Sequence, residues 1–198
     1  AFQFKDYTAW HNTFLQSASA QEQETFWLQS LQGELPVLQL ATDYVRPARQ
    51  SFEGDRLCRY ADERLAKRLK MLAESQGASL YMVMLAAYYA LLARYTGQDD
   101  MIIGTPVAGR SHPDTDGMIG VFINTLPLRA YPAANKTFSA FLGEVRELVL
   151  GAMDRQTYPF YHIIEKLGIG RNVSRNPLFD TMFVLQNTGD AEFRTANL

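Results

Sequence analysis

The sequence predicts a layered α/β fold with a mixed or parallel sheet. Two continuous apolar runs, at residues 101–107 and 121–128, have the length of strands that are covered on both faces. Helical patterns, with apolar residues three and four positions apart, stand before and after these runs, most clearly over residues 138–152. Strands that alternate with helices are typical of a sheet covered by helices.

The first third of the chain is predicted to be helical and then extended. Residues 5–16 and 20–32 have the pattern of two polar helices. The connection over residues 35–51 contains Pro and Arg residues and is expected to be extended, and residues 52–61 are a weaker strand candidate.

Two further helices are predicted before the first strand. Asp62 can cap the first, which ends at Gly77, and Ser79 can begin the second, which covers residues 80–95 and ends at Gly97. The second helix is apolar on every face and is therefore expected to lie inside the fold. The first has a single apolar stripe, formed by Leu65, Leu69 and Leu72.

The remaining elements follow the second apolar run. Pro127 lacks a backbone donor, so this position of the strand is expected at an edge or in an irregular stretch. A shorter helix is predicted over residues 159–167 with Gly168 past its end, and a last strand over residues 181–186. Thr137 can cap the clearest helix of the chain, one face of which carries Phe138, Phe141, Leu142, Val145, Leu148, Val149 and Ala152.

Composition limits the possible functions. The 198 residues are 47% hydrophobic, enough for one sizeable core and one domain. A net charge of -2, with acidic and basic residues mixed along the chain, does not favour binding to nucleic acid or to an anionic membrane. The single Cys58 cannot form an internal disulfide and fits a reducing cytosol. The longest apolar run, residues 80–93, is too short to span a bilayer.

Few residues suggest chemistry that the chain could perform by itself. Ser111, His112 and Asp114 have the residue types of a hydrolytic triad, but they follow one another on a Gly- and Pro-containing loop and cannot converge. We expect His112 to be a solvated loop residue. His11 and His162 have no Cys, Asp or Glu at ligand spacing, so no metal site is expected.

Two polar groups remain open to two interpretations each. Arg171 and Arg175 could hold a phosphate through charge-assisted hydrogen bonds, or the loop that contains them could only cap and turn the chain. Asn124 and Thr125 interrupt an apolar strand, and they either bond the neighbouring backbone or face a cavity.

Four ordered segments resemble the condensation domains of nonribosomal peptide synthetases. IGVFINTLPLR is similar to the family's (I/V)GxFVNTxxxR segment, RQTYPFYHIIEKL to QDxPFExxxxxL, and RNVSRNPLF to RDxSRNPLF, with FKDYTAW near the start of the chain. IIGTPVAGR also matches the strand and loop before the Asn-Thr segment. The resemblance covers nearly the whole chain. It departs from the family pattern at Thr157, Tyr161 and Asn172.

The resemblance implies a fold like that of chloramphenicol acetyltransferase, with two similar α/β lobes and a tunnel between them. Residues 1–198 would then be the C-terminal lobe, with a mixed sheet flanked by helices. The family's active-site motif, HHxxxDG, belongs to the N-terminal lobe and has no match here. We therefore expect no catalytic residue in this chain and no condensing activity from it alone.

The resemblance also implies partners and contact residues. Two peptidyl carrier proteins, donor and acceptor, would bring their substrates on phosphopantetheine arms, and an adenylation domain would be adjacent. The expected contacts are Asn124 and Thr125 in the tunnel wall, Arg129 or Arg110 with the motif's aspartate, and Arg171 or Arg175 with the pantetheine phosphate.

Other readings of the same resemblance stay open. Epimerisation and heterocyclisation domains share the fold and parts of these motifs, and a coenzyme A acyltransferase of this fold is a further alternative. From a different class, the chain could be a non-catalytic module that only docks carrier proteins. A separate lobe is also expected to expose apolar surface and to self-associate.

Overall fold

α-Helices precede and follow a small sheet in the computed structural model of this chain, which describes residues 2–170 and 172–186, and a 3-10 turn (Pro113–Thr115) lies between the two strands. The strands are β1 (Met101–Val107) and β2 (Asn124–Ala130). The helices of the described part are α1 (Phe4–Phe14), α2 (Ala18–Ser30), α3 (Glu63–Ser75), α4 (Leu80–Thr96), α5 (Phe138–Met153) and α6 (Phe160–Lys166).

Short polar side chains determine where four of the helices begin. Ser17, Asp62, Ser79 and Thr137 each accept a hydrogen bond from the backbone N–H three residues further on, at 2.6–3.2 Å. Such a cap stabilises a helix by about 1 kcal/mol, because it satisfies a donor that has no partner within the helix. The helix starts predicted at the last three of these residues are confirmed.

The sheet is antiparallel between β1 and β2, with Met101 opposite Ala130 and Val107 opposite Asn124. On the other side of β1, Gly104 forms a parallel bridge with Met182. The Gly104 N–H donates to the Thr181 carbonyl at 3.0 Å, and the Phe183 N–H donates to the Gly104 carbonyl at 2.9 Å. The sheet is therefore mixed, as predicted.

The core lies between this sheet and helices α4 and α5. Tyr89 of α4 is fully buried, and its hydroxyl donates to the Leu128 carbonyl of β2 at 2.6 Å. Most of α4 is inside, as predicted, but Leu91 and Tyr95 are exposed. On α5 the buried residues match the predicted apolar face at Phe141, Leu142, Val145, Val149 and Ala152.

Three predicted strands differ from the structure. The run at residues 121–128 joins the sheet only from Asn124 onward, because Phe122 turns inward onto α1 instead of continuing the ladder. The prediction for residues 52–61 is wrong: they form no strand, and each of them is exposed. Of the last strand predicted over residues 181–186, which the structure describes, only the bridge at Met182 forms.

Pro127 lies within β2, opposite Gly104, whose N–H and C=O both bond to residues 181 and 183 on the other side of β1. Pro127 therefore faces the open edge of the described sheet, where its missing N–H removes no ladder bond, in agreement with the predicted edge position. No single described helix is long and apolar enough to cross a membrane. By length and composition alone α3 and α4 together pass that test, although they are bent by 103° at the break between them.

Candidate functional site

A cavity of about 350 Å³ lies where three of the sequence motifs meet. One wall is α1, a second is the chain that leads into β2, and the third is the connection between α5 and α6. The lining residues are Phe4, Tyr7, Thr8, His11, Asn12, Gly109, Ser111, Val121, Phe122, Ile123, Asn124, Gln156, Thr157, Pro159 and Tyr161.

Three aromatic rings pack together in the first two walls. Phe4 and Tyr7 are three residues apart on α1, so they share a face of the helix. Their ring centroids are 5.9 Å apart, and the Phe122 ring packs edge-on against Phe4 at 5.3 Å and in a tilted arrangement against Tyr7 at 4.6 Å. The contact requires a glycine at Gly120, because a Cβ there would lie 2.2 Å from the Phe4 ring.

Asn124 joins the second wall to the third. Its side-chain nitrogen donates to the carbonyls of Gln156 and Tyr158, each at 2.8 Å. Its side-chain oxygen accepts from the backbone N–H of Phe160 at 3.0 Å and of Thr125 at 2.9 Å. The amide is thus saturated by backbone groups while it also lines the cavity, so both interpretations of Asn124 hold. Thr125 is half-buried and does not contribute to the lining.

Helix α2 holds the third wall from behind. The Trp27 indole N–H donates to the Arg155 carbonyl at 3.1 Å. The buried Tyr158 hydroxyl donates to a Glu24 carboxylate oxygen at 2.5 Å, and Lys166 donates to the other at 3.0 Å. The bond from Tyr158 lowers the pKa of Glu24, while burial raises the pKa of the Tyr158 phenol. The α5–α6 connection is therefore attached to the fold on two sides.

His11 connects the first wall to the third. Its Nε2 lies 3.2 Å from the Thr157 carbonyl oxygen, and because a carbonyl only accepts, a hydrogen bond requires the proton on Nε2. The ring stacks on Tyr7 and Phe14, with centroids at 5.7 and 5.9 Å. This histidine has a polar contact that its sequence context alone did not reveal.

None of the three imidazole rings forms a hydrogen bond with a hydroxyl or thiol nucleophile within the described residues. His112 is exposed, with its Nδ1 3.4 Å from an Asp114 oxygen, as expected for a solvated loop residue. His162 contacts Glu165 at 3.3 Å. A search of the described residues finds no group of three or more His, Cys, Asp and Glu that could hold a metal ion.

Arg129 is buried and bound within this chain. Its guanidinium forms a bidentate pair with Asp100, at 2.9 and 2.7 Å, and donates to the carbonyls of Gln32 and Glu34 at 2.7 and 2.8 Å. The hydrogen bond to Asp100 raises the pKa of Arg129. A pair between Arg129 and an aspartate of another lobe would require breaking these contacts. That pairing stays a prediction.

Arg110, the substitute in the predicted pair, is also engaged. It donates to the Thr115 carbonyl and, at 3.0 Å, to the Met118 carbonyl. Its guanidinium carbon lies 4.1 Å from the centre of the Phe122 ring. Arg110 thus supports the aromatic cluster from outside the cavity and closes the loop that contains Ser111 and His112.

The predicted phosphate site is only partly within the described structure. Arg171 lies outside the described residues. Arg175 and Arg46 both contact the carboxylate of Asp180, at 3.1 and 3.2 Å. The Gln50 N–H also donates to the Val173 carbonyl at 2.9 Å, so the extended connection lies against this loop. Phosphate binding at Arg175 stays a prediction.

Several residues of the site were not singled out by sequence reasoning. Tyr7, Gln156 and Tyr158 belong to quoted motifs, and His11, considered above only as a metal ligand, directly follows FKDYTAW. Nothing in the spacing of these residues showed that the motifs converge. The three- and four-residue spacing of Phe4, Tyr7 and His11 is the one signal that could have placed these side chains on a single face of α1.

Comparison with known proteins shows the family. The family model of the condensation domain matches residues 1–197. This chain belongs to the condensation-domain family. The resemblance of the quoted motifs to this family is therefore confirmed, and in this member of the family three of those motifs line one cavity.

Two relatives named as synthases are much longer than this chain. The chain is 49% identical to tyrocidine synthase 3 of Brevibacillus parabrevis over 198 residues, which is all of this chain and 3% of that protein. It is 53% identical to surfactin synthase subunit 1 of Bacillus subtilis (strain 168) over 186 residues, or 93% of this chain and 5% of that protein. The chain thus spans a small part of these relatives.

Solved structures show the same fold. The X-domain from teicoplanin biosynthesis matches with a TM-score of 0.85 and 31% identity, over 92% of this chain and 42% of that chain. A four-domain holo nonribosomal peptide synthetase, bound to AMP and glycine, matches with a TM-score of 0.82 and 27% identity, over 87% of this chain and 13% of that chain. The predicted fold, like that of chloramphenicol acetyltransferase, is confirmed.

Proposed function

We propose that this chain is the C-terminal lobe of a condensation domain and that, with an N-terminal lobe, it forms peptide bonds between carrier-bound substrates. The observation that supports the proposal is the convergence of the Asn-Thr, Pro-Phe and FKDYTAW segments on one cavity, where the Asn124 amide joins two of them. The whole domain would act in a cytoplasmic nonribosomal peptide synthetase.

The reaction needs a proton acceptor, which we expect the N-terminal lobe to supply. The acceptor amine attacks the donor thioester carbonyl, the C–N bond forms, the C–S bond breaks, and the carrier thiol leaves with a proton. The second histidine of HHxxxDG, in the N-terminal lobe, would position the amine or accept its proton. The chain described here would form the facing wall of the tunnel, including Asn124 and Thr125.

An exposed apolar edge supports the presence of a second lobe. Ile119, Val121 and Ile123 alternate along the chain before β2 and are 96%, 80% and 69% exposed, whereas the intervening Phe122 is 6% exposed. Three β-branched side chains on one open side are unusual for a surface that stays in water. We propose that the N-terminal lobe covers them, and that without it the chain self-associates.

Two arginine contacts belong to this proposal. Arg110 or Arg129 would pair with the aspartate of HHxxxDG. Arg110 would then give up a bond to a backbone carbonyl, and Arg129 would give up its bond to Asp100. Arg171 or Arg175 would contact the phosphate of a phosphopantetheine arm. Replacing Arg175 by alanine in the intact domain should weaken carrier binding and reduce its salt dependence. Unchanged affinity and salt dependence would remove Arg175 from the proposal.

The central experiment compares the intact domain with this chain alone. Donor and acceptor carriers are loaded with aminoacyl thioesters, and the dipeptidyl thioester is measured by mass spectrometry. We expect product from the intact domain, a loss of roughly 100- to 10,000-fold when the second histidine of the motif becomes alanine, and none from this chain alone. Turnover by the isolated chain would contradict the proposal.

A second candidate is a non-catalytic interaction module. The observation that favours it is the likeness to the X-domain in its complex with OxyB, with a TM-score of 0.85 and 32% identity, over 92% of this chain and 41% of that chain. In that structure a protein of this fold is bound to another protein. Carrier binding by the intact domain, without any product from the loaded substrates, would favour this candidate.

A further inference from the structure

The cavity between the three motifs has no Asp, Glu, Lys or Arg among its lining residues in the described part of the chain. Among these lining residues His11 can be protonated, and its Nε2 already lies 3.2 Å from the Thr157 carbonyl oxygen. The nearby Arg110 lies over Phe122 and is occupied by two carbonyls. A charged group that entered this space would lose water without gaining a carboxylate, ammonium or guanidinium partner, which is costly.

The cavity nevertheless offers groups that can bind a neutral ligand. Phe4, Tyr7 and Phe122 present aromatic surface, and the Tyr7 hydroxyl makes no hydrogen bond with any described residue. The same holds for the side chains of Asn12 and Ser111 at its rim. A volume of about 350 Å³ is within the usual range for small-ligand sites, at its lower end.

The site is built rather than accidental, because each wall is tied to the next. Asn124 holds the α5–α6 connection, His11 reaches the Thr157 carbonyl, and Gly109 permits a close approach to the Phe122 carbonyl with a φ of +66°. A Cβ at Gly109 would lie 1.8 Å from that oxygen. The walls are therefore held in place before any ligand arrives.

We propose that this cavity receives an uncharged side chain, preferably an aromatic one, of a carrier-bound aminoacyl substrate. This inference rests on the proposed condensation function and adds a substrate class to it. The side chain can come from the donor or from the acceptor residue, and the experiment separates the two sources.

The test introduces charge at the rim in the intact domain. Asn12 lies on α1, is exposed and lines the cavity, so Asn12→Asp and Asn12→Lys should not disturb the fold. Matched controls are Asn135→Asp and Asn135→Lys, at an exposed turn outside the cavity lining. Thermal unfolding of all four variants checks that each is folded like the wild type.

Rates are measured with carriers that bear phenylalanine, 4-carboxyphenylalanine or 4-(aminomethyl)phenylalanine. In one arm these occupy the donor and in the other the acceptor, with the second residue kept constant. We expect the wild type to favour phenylalanine in one arm. In that arm Asn12→Asp should raise the preference for the cationic over the anionic substrate by about tenfold, and Asn12→Lys should shift it the other way, from the Coulomb interaction at the rim.

Unchanged ratios in both arms, or an equal fall in rate for all three substrates, would overturn the assignment of the cavity. Shifts of equal size at Asn135 would overturn it too, because they would report the net charge of the domain. A wild type that makes no product from any substrate would overturn the proposed condensation function, and this inference with it.

Discussion

Replacing Asn124 by aspartate tests whether this side chain holds the candidate site together. The change keeps the shape of the side chain but removes the two N–H donors, and it places a carboxylate oxygen where a nitrogen now lies 2.8 Å from each of two carbonyl oxygens. The acceptor of the Thr125 and Phe160 N–H groups is kept. The substitution therefore isolates the donor half of the amide.

The expected cost follows from these contacts. Each lost hydrogen bond contributes about 1 kcal/mol net, and a half-buried carboxylate facing two carbonyls adds a penalty of similar size, so we expect a loss of about 3 kcal/mol in the free energy of unfolding at pH 7. The same surroundings should raise the pKa of the introduced carboxyl in the folded state. The loss should therefore shrink as the pH falls through that raised value, because the protonated form is uncharged and donates one bond.

Urea unfolding of the variant at several pH values measures both effects. Asn135→Asp is the matched control, because Asn135 is exposed on the turn after β2 and should change stability little. If Asn124→Asp is as stable at pH 7 as this control, the amide does not hold the α5–α6 connection. A deficit that does not depend on pH would refute the electrostatic part of the reasoning.

Three further predictions concern neighbouring contacts. Arg129→Lys cannot reproduce the bidentate pair with Asp100 and should lower the free energy of unfolding in urea by about 2–3 kcal/mol. Arg146→Lys, which changes the exposed pair with Glu147, is the control and should change stability little. Equal effects would refute the role of the buried network. Gly109→Ala should unfold at a clearly lower temperature than Gly54→Ala, because only the first meets a backbone oxygen and a positive φ. The pKa of Glu24 is lowered in the folded protein, so Glu24 stabilises the fold at pH values above its unfolded pKa of about 4.3. This stabilisation is lost as the pH falls through the lower pKa of the folded state. Unfolding measured from pH 6 to pH 3 should therefore show a steeper loss for the wild type than for Glu24→Gln, and parallel curves would contradict this.

Helix positions were accessible from the sequence because their signals are local. Asp62, Ser79 and Thr137 cap α3, α4 and α5, and each cap depends only on residues within one turn. The apolar face of α5 likewise follows from spacing along one helix. Interactions of this kind need no knowledge of the rest of the fold.

Strand pairing was less accessible because a strand depends on a partner. Residues 52–61 have a strand-like composition, yet no backbone hydrogen bond joins them to another described segment, and they are irregular and exposed. Residues 121–123 have the same apolar character as β2, but the Phe122 ring packs on Tyr7 of α1 and β2 begins only at Asn124. Where the strand begins thus depends on a contact with a helix more than 100 residues earlier in the chain.

The candidate site shows the same division. The motifs indicated the family and the importance of Asn124, but they did not reveal that Arg129 pairs with Asp100, 29 residues away in sequence. The pair of Arg129 or Arg110 with an aspartate of the other lobe stays a prediction. Sequence reasoning had no means to pair Arg129 with Asp100, since no periodicity connects a β2 arginine to the loop before β1. The same is true of Tyr158 and Glu24, which are 134 residues apart.

The sequence by itself determined the helices of this chain, its α/β class and its resemblance to condensation domains. These features depend on local propensities and on the order of motifs along the chain. Only the tertiary structure decided that the three motifs enclose one cavity lined without Asp, Glu, Lys or Arg, that Asn124 joins two of its walls, and that Arg129 is bound to Asp100. The physical reason is that these contacts join residues far apart in sequence, so they exist only after the chain has folded.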